Sequence, residues 1–68
     1  MLTLMATLAK RLKELRKKKK LTQLELAQKT GLSHAYIGRL EIGRHDPQLS
    51  TLKKLAKALK VTVAELVK

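Results

Sequence analysis

Leucine returns every three or four positions in the first part of the chain. Leu8, Leu12 and Leu15 form one stripe, and Lys10, Arg11, Lys13, Arg16 and Lys17 surround it. That period marks an amphipathic helix. A second stripe, Leu52, Leu55, Ala56 and Leu59, repeats the pattern near the carboxyl end. Between them lie start signals. Thr22 and Glu25 stand at capping-box spacing, with Leu21 and Leu26 at the flanking staple positions. Ser33 is the next cap, flanked by Leu32 and Ile37, and Thr62 with Glu65 repeats the box between Val61 and Leu66. Ser50 is the expected cap of the fourth helix. No segment alternates with the period of two that a strand requires. The pattern predicts an all-α fold of five helices, about 4–19, 23–29, 34–41, 51–59 and 63–67. A tail over Met1–Ala6 is expected to lead into a single domain over 7–68.

Sixty-eight residues allow one small core, and Tyr36 is the only aromatic residue available to fill it. Interdigitating leucines must do that work, which suits packed helices. The chain has no cysteine, so disulfides and thiolate chemistry are excluded, and a reducing cytoplasm is the default compartment. The apolar start is too short for a secretory signal, and no stretch is long enough to span a bilayer. Helix one has apolar and basic faces, as interfacial helices do, but a fold this small needs its leucine stripe.

Charge changes the picture more. Sixteen Lys and Arg against five acids leave a net charge of +11. Such an excess points to a polyanionic partner. An enzyme does not fit, since His34 and His45 are the only histidines and no carboxylate pair shows acid–base spacing. No metal site or cofactor is expected. His45-Asp46 before Pro47 reads as a turn.

Helices two and three are joined only by Thr30-Gly31-Leu32, where glycine supplies the left-handed backbone of a sharp turn. Two short helices around a glycine turn, over about 22–41, form a frame that lays the second helix in a DNA major groove. If Ile37 and Leu40 face the core, a rotation of about 100° per residue turns Ala35, Gly38, Arg39 and Ile42 outward, with His34 and Tyr36 beside them. Arg39 is the best base reader there, because its guanidinium can hold guanine O6 and N7 together. A solvated helix charge is the plainer alternative. His34 and Ser33 can donate or accept, Ala35 offers a methyl group, and Gly38 offers room. Tyr36 reads as a packing residue whose hydroxyl reaches backbone or phosphate. One aromatic residue is too few for single strands, where successive bases stack on rings. Lys18, Lys19 and Lys20 precede the amino terminus of helix two and are expected on phosphates. Lys53, Lys54, Lys57 and Lys60 read as a solvated face.

The sequence Leu21-Thr22-Gln23, Leu26-Ala27, Gly31-Leu32-Ser33, Ile37, Leu40-Glu41, Gly43-Arg44, Pro47, Leu49, Thr51-Leu52, Leu55-Ala56, Ala58-Leu59 and Val61 resembles the lambda-repressor-like family of helix-turn-helix proteins. That family includes phage repressors, Cro proteins, restriction controllers and several antitoxins. The resemblance implies a five-helix domain that binds double-stranded DNA, usually as a homodimer, in a repressor-type regulator. An antitoxin or coactivator module, gripping a toxin or polymerase, is the alternative. It further implies base contacts from the Ser33–Arg39 stretch, phosphate contacts from Gln23 and Arg44, and an ion pair between Arg16 and Glu41. A solvated Glu41 is the plainer reading of that acid. Val63 and Val67, beside Leu66, are expected to offer an apolar patch for a second copy. Lys20 and Lys60 stand where the family often ends a helix with glycine, and Ile42 replaces a polar position.

Overall fold

The computed structural model describes residues 4–67, and they form five helices without a strand. These are α1 (Leu4–Lys18), α2 (Gln23–Thr30), α3 (His34–Glu41), α4 (Leu49–Leu59) and α5 (Val63–Val67). Helix α1 thus takes in residues 4–6 of the expected tail, while residues 1–3 lie outside the described residues.

The amino-terminal caps follow from side-chain chemistry. Thr22 Oγ1 accepts from the Glu25 amide at 3.0 Å, and Glu25 Oε1 accepts from the Thr22 amide at 2.8 Å. Two backbone donors that the helix leaves unpaired are satisfied this way. Ser33 Oγ accepts from the Tyr36 amide, and Thr62 with Glu65 closes a second box. Helix α4 departs from expectation. It begins at Leu49, with Gln48 as a cap that makes no side-chain hydrogen bond, so Ser50 lies inside the first turn. The buried Pro47 anchors the chain just before it, and the first helical bond runs from Leu52 N to Gln48 O at 3.0 Å.

Three helices end in one motif. Leu21 N bonds Arg16 O and Lys20 N bonds Lys17 O after α1; Arg44 N with Arg39 O, and Val61 N with Ala56 O, repeat the long bond after α3 and α4. Such a closure needs one left-handed residue. Gly43 supplies it after α3, but Lys20 (φ 59°) and Lys60 (φ 57°) supply it after α1 and α4. A side chain there costs about 1 kcal/mol.

One core results. Leu12, Leu26, Ile37, Leu40, Leu55, Leu59 and Leu66 are fully enclosed, and Leu8, Leu15, Ala27 and Ala56 complete the cluster. Helix α1 packs on α3 and α5, α2 on α3 and α4, and α4 on α5. Ala27 is buried where α2 meets its neighbours, as its small side chain requires. Leu66 is spent on this core, and Val63 and Val67 are half-buried against it. The apolar patch expected there is therefore narrower than the sequence implied, because the short α5 must turn its few apolar residues inward.

Candidate nucleic-acid interface

Helix α2 ends at Gly31, whose left-handed backbone (φ 74°) turns the chain into α3 within three residues. The Thr30 hydroxyl stabilises the corner by donating to Leu26 O and accepting from the Leu32 amide. Ser33 then caps α3, and Ile37 and Leu40 fasten its inner face to the core. The outer face carries His34, Ala35 and Arg39, all exposed, and the half-buried Gly38. Gly38 has helical backbone, and a Cβ built there meets nothing within 4 Å. This side of α3 is a shallow surface on which only His34 and Arg39 extend long polar groups. Ser33 is also exposed, although one lone pair of its hydroxyl is committed to the cap.

The carboxyl end of α3 is held by charge. Arg16 Nε donates to Glu41 Oε2 at 2.6 Å and Nη2 to Oε1 at 3.0 Å, a two-pronged buried pair. Arg16 Nη1 also donates to Leu21 O at 2.7 Å, so one guanidinium ties α1 to both the α1–α2 turn and α3. Gln23 joins this group, its Nε2 donating to Glu41 Oε1 at 3.0 Å. One amide hydrogen of Gln23 is thereby occupied and the other is left at the half-exposed start of α2. No buried side-chain polar atom among the described residues lacks a partner.

The segment after α3 carries Arg44, exposed beside the left-handed Gly43. Its course is fixed by an unexpected contact. The His45 ring lies against Tyr36, with centroids 5.0 Å apart and planes at 46°. Tyr36 thus links α3 to the following loop, whereas the local sequence marks His45 only as a turn residue. Nothing in the local pattern signals a contact made nine positions away across a loop. Lys18, Lys19 and Lys20 are exposed, and Lys19 lies beside Lys29 and Lys60, on a surface that no α3 residue lines. Ile42 is 66% exposed, so the family's usual polar position here is an open apolar one. Glu25, although exposed, is held below the ordinary glutamate pKa, chiefly by the Thr22 backbone amide and then by its hydroxyl and Lys29.

A turn of this kind, rigidly buried on one side and polar on the other, is matched by the helix-turn-helix family model over residues 12–66. The chain belongs to the helix-turn-helix family. Among its helix-turn-helix relatives is the immunity repressor protein of Bacillus phage phi105, 44% identical over 61 residues, covering 90% of this chain and 42% of that protein. The transcriptional repressor RghR of Bacillus subtilis is 43% identical over 58 residues, covering 84% and 43%. This helix-turn-helix chain therefore spans less than half the length of those two relatives. Of solved helix-turn-helix structures, the restriction-modification controller C.AhdI from Aeromonas hydrophila superposes with a TM-score of 0.89 at 39% identity, covering 91% of this chain and 94% of its own. The biofilm regulator SinR, solved in complex with DNA, superposes at 0.86 with 31% identity, covering 90% and 98%. Phage repressors and restriction controllers thus stand among the chain's relatives, as lambda-repressor-like membership requires.

Proposed function

We propose that this chain binds double-stranded DNA with sequence preference and represses transcription, laying α3 in the major groove. One observation carries the reading. The exposed face of α3 presents His34 and Arg39 on a helix locked at both ends, by the Ser33 cap and by the buried Arg16–Glu41 pair. A rigid helix with a short polar frontage is what base-edge readout requires. In this reading Arg39 takes a guanine, His34 and Ser33 contact base edges, and Ala35 and Gly38 let the helix lie close. Gln23 places its unoccupied amide hydrogen on a phosphate, and Arg44, Tyr36, Lys18 and Lys20 hold the backbone.

The relatives described as repressors favour this over the antitoxin and coactivator alternatives. The work is binding in the cytoplasm rather than catalysis. A homodimer on DNA accompanies the proposal: Val63 and Val67 retain part of their surface, and two-fold pairing sets half-sites about one helical turn, roughly 34 Å, apart.

Selection of binding sites from randomised duplex, followed by titration at several salt concentrations, tests the proposal. A recovered site, with affinity falling steeply as salt rises, is expected. No enrichment, or binding indifferent to salt, refutes it. Sedimentation of the complex then counts the protomers on the recovered site.

A further inference from the structure

Between α2 and the carboxyl half of α4 runs a groove of about 430 Å³, lined by Lys29, Thr30, Lys54, Lys57, Ala58 and Lys60. A second hollow of about 210 Å³ shares Lys29, Ala58 and Lys60 with it and adds Lys19 and Leu21. Five lysines therefore border these two adjoining hollows, which together make a furrow that no α3 residue lines.

Sequence spacing makes Lys54 and Lys57 an ordinary solvated face of α4. The fold instead brings them to lysines from two other parts of the chain. Among the described residues none of the five stands within ion-pair distance of a carboxylate; Glu25, one turn before Lys29, acts on that lysine at longer range. Lys29 and Lys57 lie in the last turns of α2 and α4, and Lys19 follows α1, so helix dipoles supply some compensation. Each helix end is worth about half a negative charge, or roughly −1.5 for three. Against five ammonium groups, an excess of about 3.5 positive charges remains.

The chemistry of the lining decides the partner. Lysine is a hydrated point charge that tolerates varied geometry, which suits phosphates read without regard to base. Protein interfaces rely on aromatic and arginine anchors and are poor in lysine. Here the apolar lining is Ala58 and Leu21 alone, and the Thr30 hydroxyl already serves Leu26 O and Ala27 O.

We infer that this furrow is a second, sequence-independent surface for the phosphate backbone of duplex DNA, so that one molecule holds a further duplex while α3 reads the first. The inference rests on the duplex reading of α3. It assigns Lys19 to this surface rather than to the α3 complex. The molecule measures 32 × 23 × 22 Å. At 0.1 M salt the Debye length is about 10 Å, so repulsion between two duplexes held farther apart than that is largely screened.

The test loads the protein on an immobilised duplex, washes it, and offers a labelled duplex of unrelated sequence. The wild type is expected to capture it. Lys29→Gln/Lys54→Gln/Lys57→Gln should load within about twofold of wild type, since α3 is untouched, yet lose capture about tenfold through three lost phosphate partners. Lys54→Gln alone should lose part of it, which keeps the test sound if the triple variant folds poorly. Failure of the wild type to load overturns the duplex reading and this inference together. Normal loading without capture overturns the inference alone, as does undiminished capture by the triple variant. If Arg39→Ala abolishes capture per loaded molecule while the triple variant keeps it, the second duplex sits on a partner copy's α3. Displacement of the labelled duplex by polyglutamate at lower charge concentration than by unlabelled duplex would assign the furrow to an acidic protein.

Discussion

Gln23 and Glu41 are joined by a 3.0 Å hydrogen bond, and the Glu41 oxygen that accepts it also accepts from Arg16. The amide at the start of α2 is thereby oriented by the same carboxylate that anchors the end of α3. Stability and the presentation of Gln23 are coupled through one buried acid.

Loss of either charge should be costly, because Arg16 and Glu41 are 8% and 7% exposed and the survivor is left buried without its partner. Arg16→Ala and Glu41→Ala should each destabilise the fold by about 3 kcal/mol. The double variant should lose less than the sum of the two. Chemical denaturation of all three checks this, and unchanged midpoints in both single variants would show that the pair contributes nothing.

Gly38 sits in regular helix with open space around its missing Cβ, so nothing inside the fold requires glycine. Gly38→Ala should raise stability by about 1 kcal/mol, the helix-propensity difference. For a domain this small that is about 4–8 °C in the melting temperature. A lower melting temperature would mean that the added methyl group meets an obstacle.

Lys20 and Lys60 should respond in the opposite chemical sense. Both close a helix with a positive φ, where glycine has no Cβ penalty. Lys20→Gly and Lys60→Gly should each gain about 0.5 kcal/mol, the relieved strain less the greater freedom glycine has when unfolded. Melting curves for the two variants and their combination, with additive gains, are the expected result.

Arg39 and Arg44 are both exposed, yet only Arg39 stands on the outer face of α3. Arg39→Ala should cost about 1–3 kcal/mol on the preferred duplex and relax preference at one base pair per half-site. Arg44→Ala should weaken every duplex alike and lower the salt slope by about one. Titration of the preferred duplex, one altered at a single guanine, and an unrelated one separates the roles. Equal losses on all three for Arg39→Ala would make it a phosphate clamp.

Acid should loosen the α2 cap. The Glu25 pKa is lowered in the fold by the Thr22 amide, so its contribution is fully present above the unfolded glutamate value and is lost as pH falls through the folded one. Melting temperature should therefore fall more between about pH 5 and 3 in the wild type than in Glu25→Gln, whose amide oxygen accepts without titrating. Parallel pH profiles would leave the cap without an ionic component.

The helices were legible in the sequence because their causes are local. A hydroxyl three residues before a carboxylate caps α2 whatever the rest of the chain does, and the leucine period of α1 fixes its inner face before any partner arrives. Ser50 misleads for the same reason. The hydroxyl is a good cap by itself, but Pro47 is buried just before α4, and the helix starts at Leu49, two residues earlier than that cap implies. Relations across the fold left no local trace. His45 meets Tyr36 only after the loop returns, Gln23 is engaged because α3 ends over α2, and Leu66 turns inward because α1 and α4 leave it a place. Charge shows the limit most clearly. Composition alone yielded the +11 excess, since net charge is a sum over residues. The gathering of Lys19, Lys29, Lys54, Lys57 and Lys60 around one furrow depends on how three helices pack, and only the tertiary structure decided it.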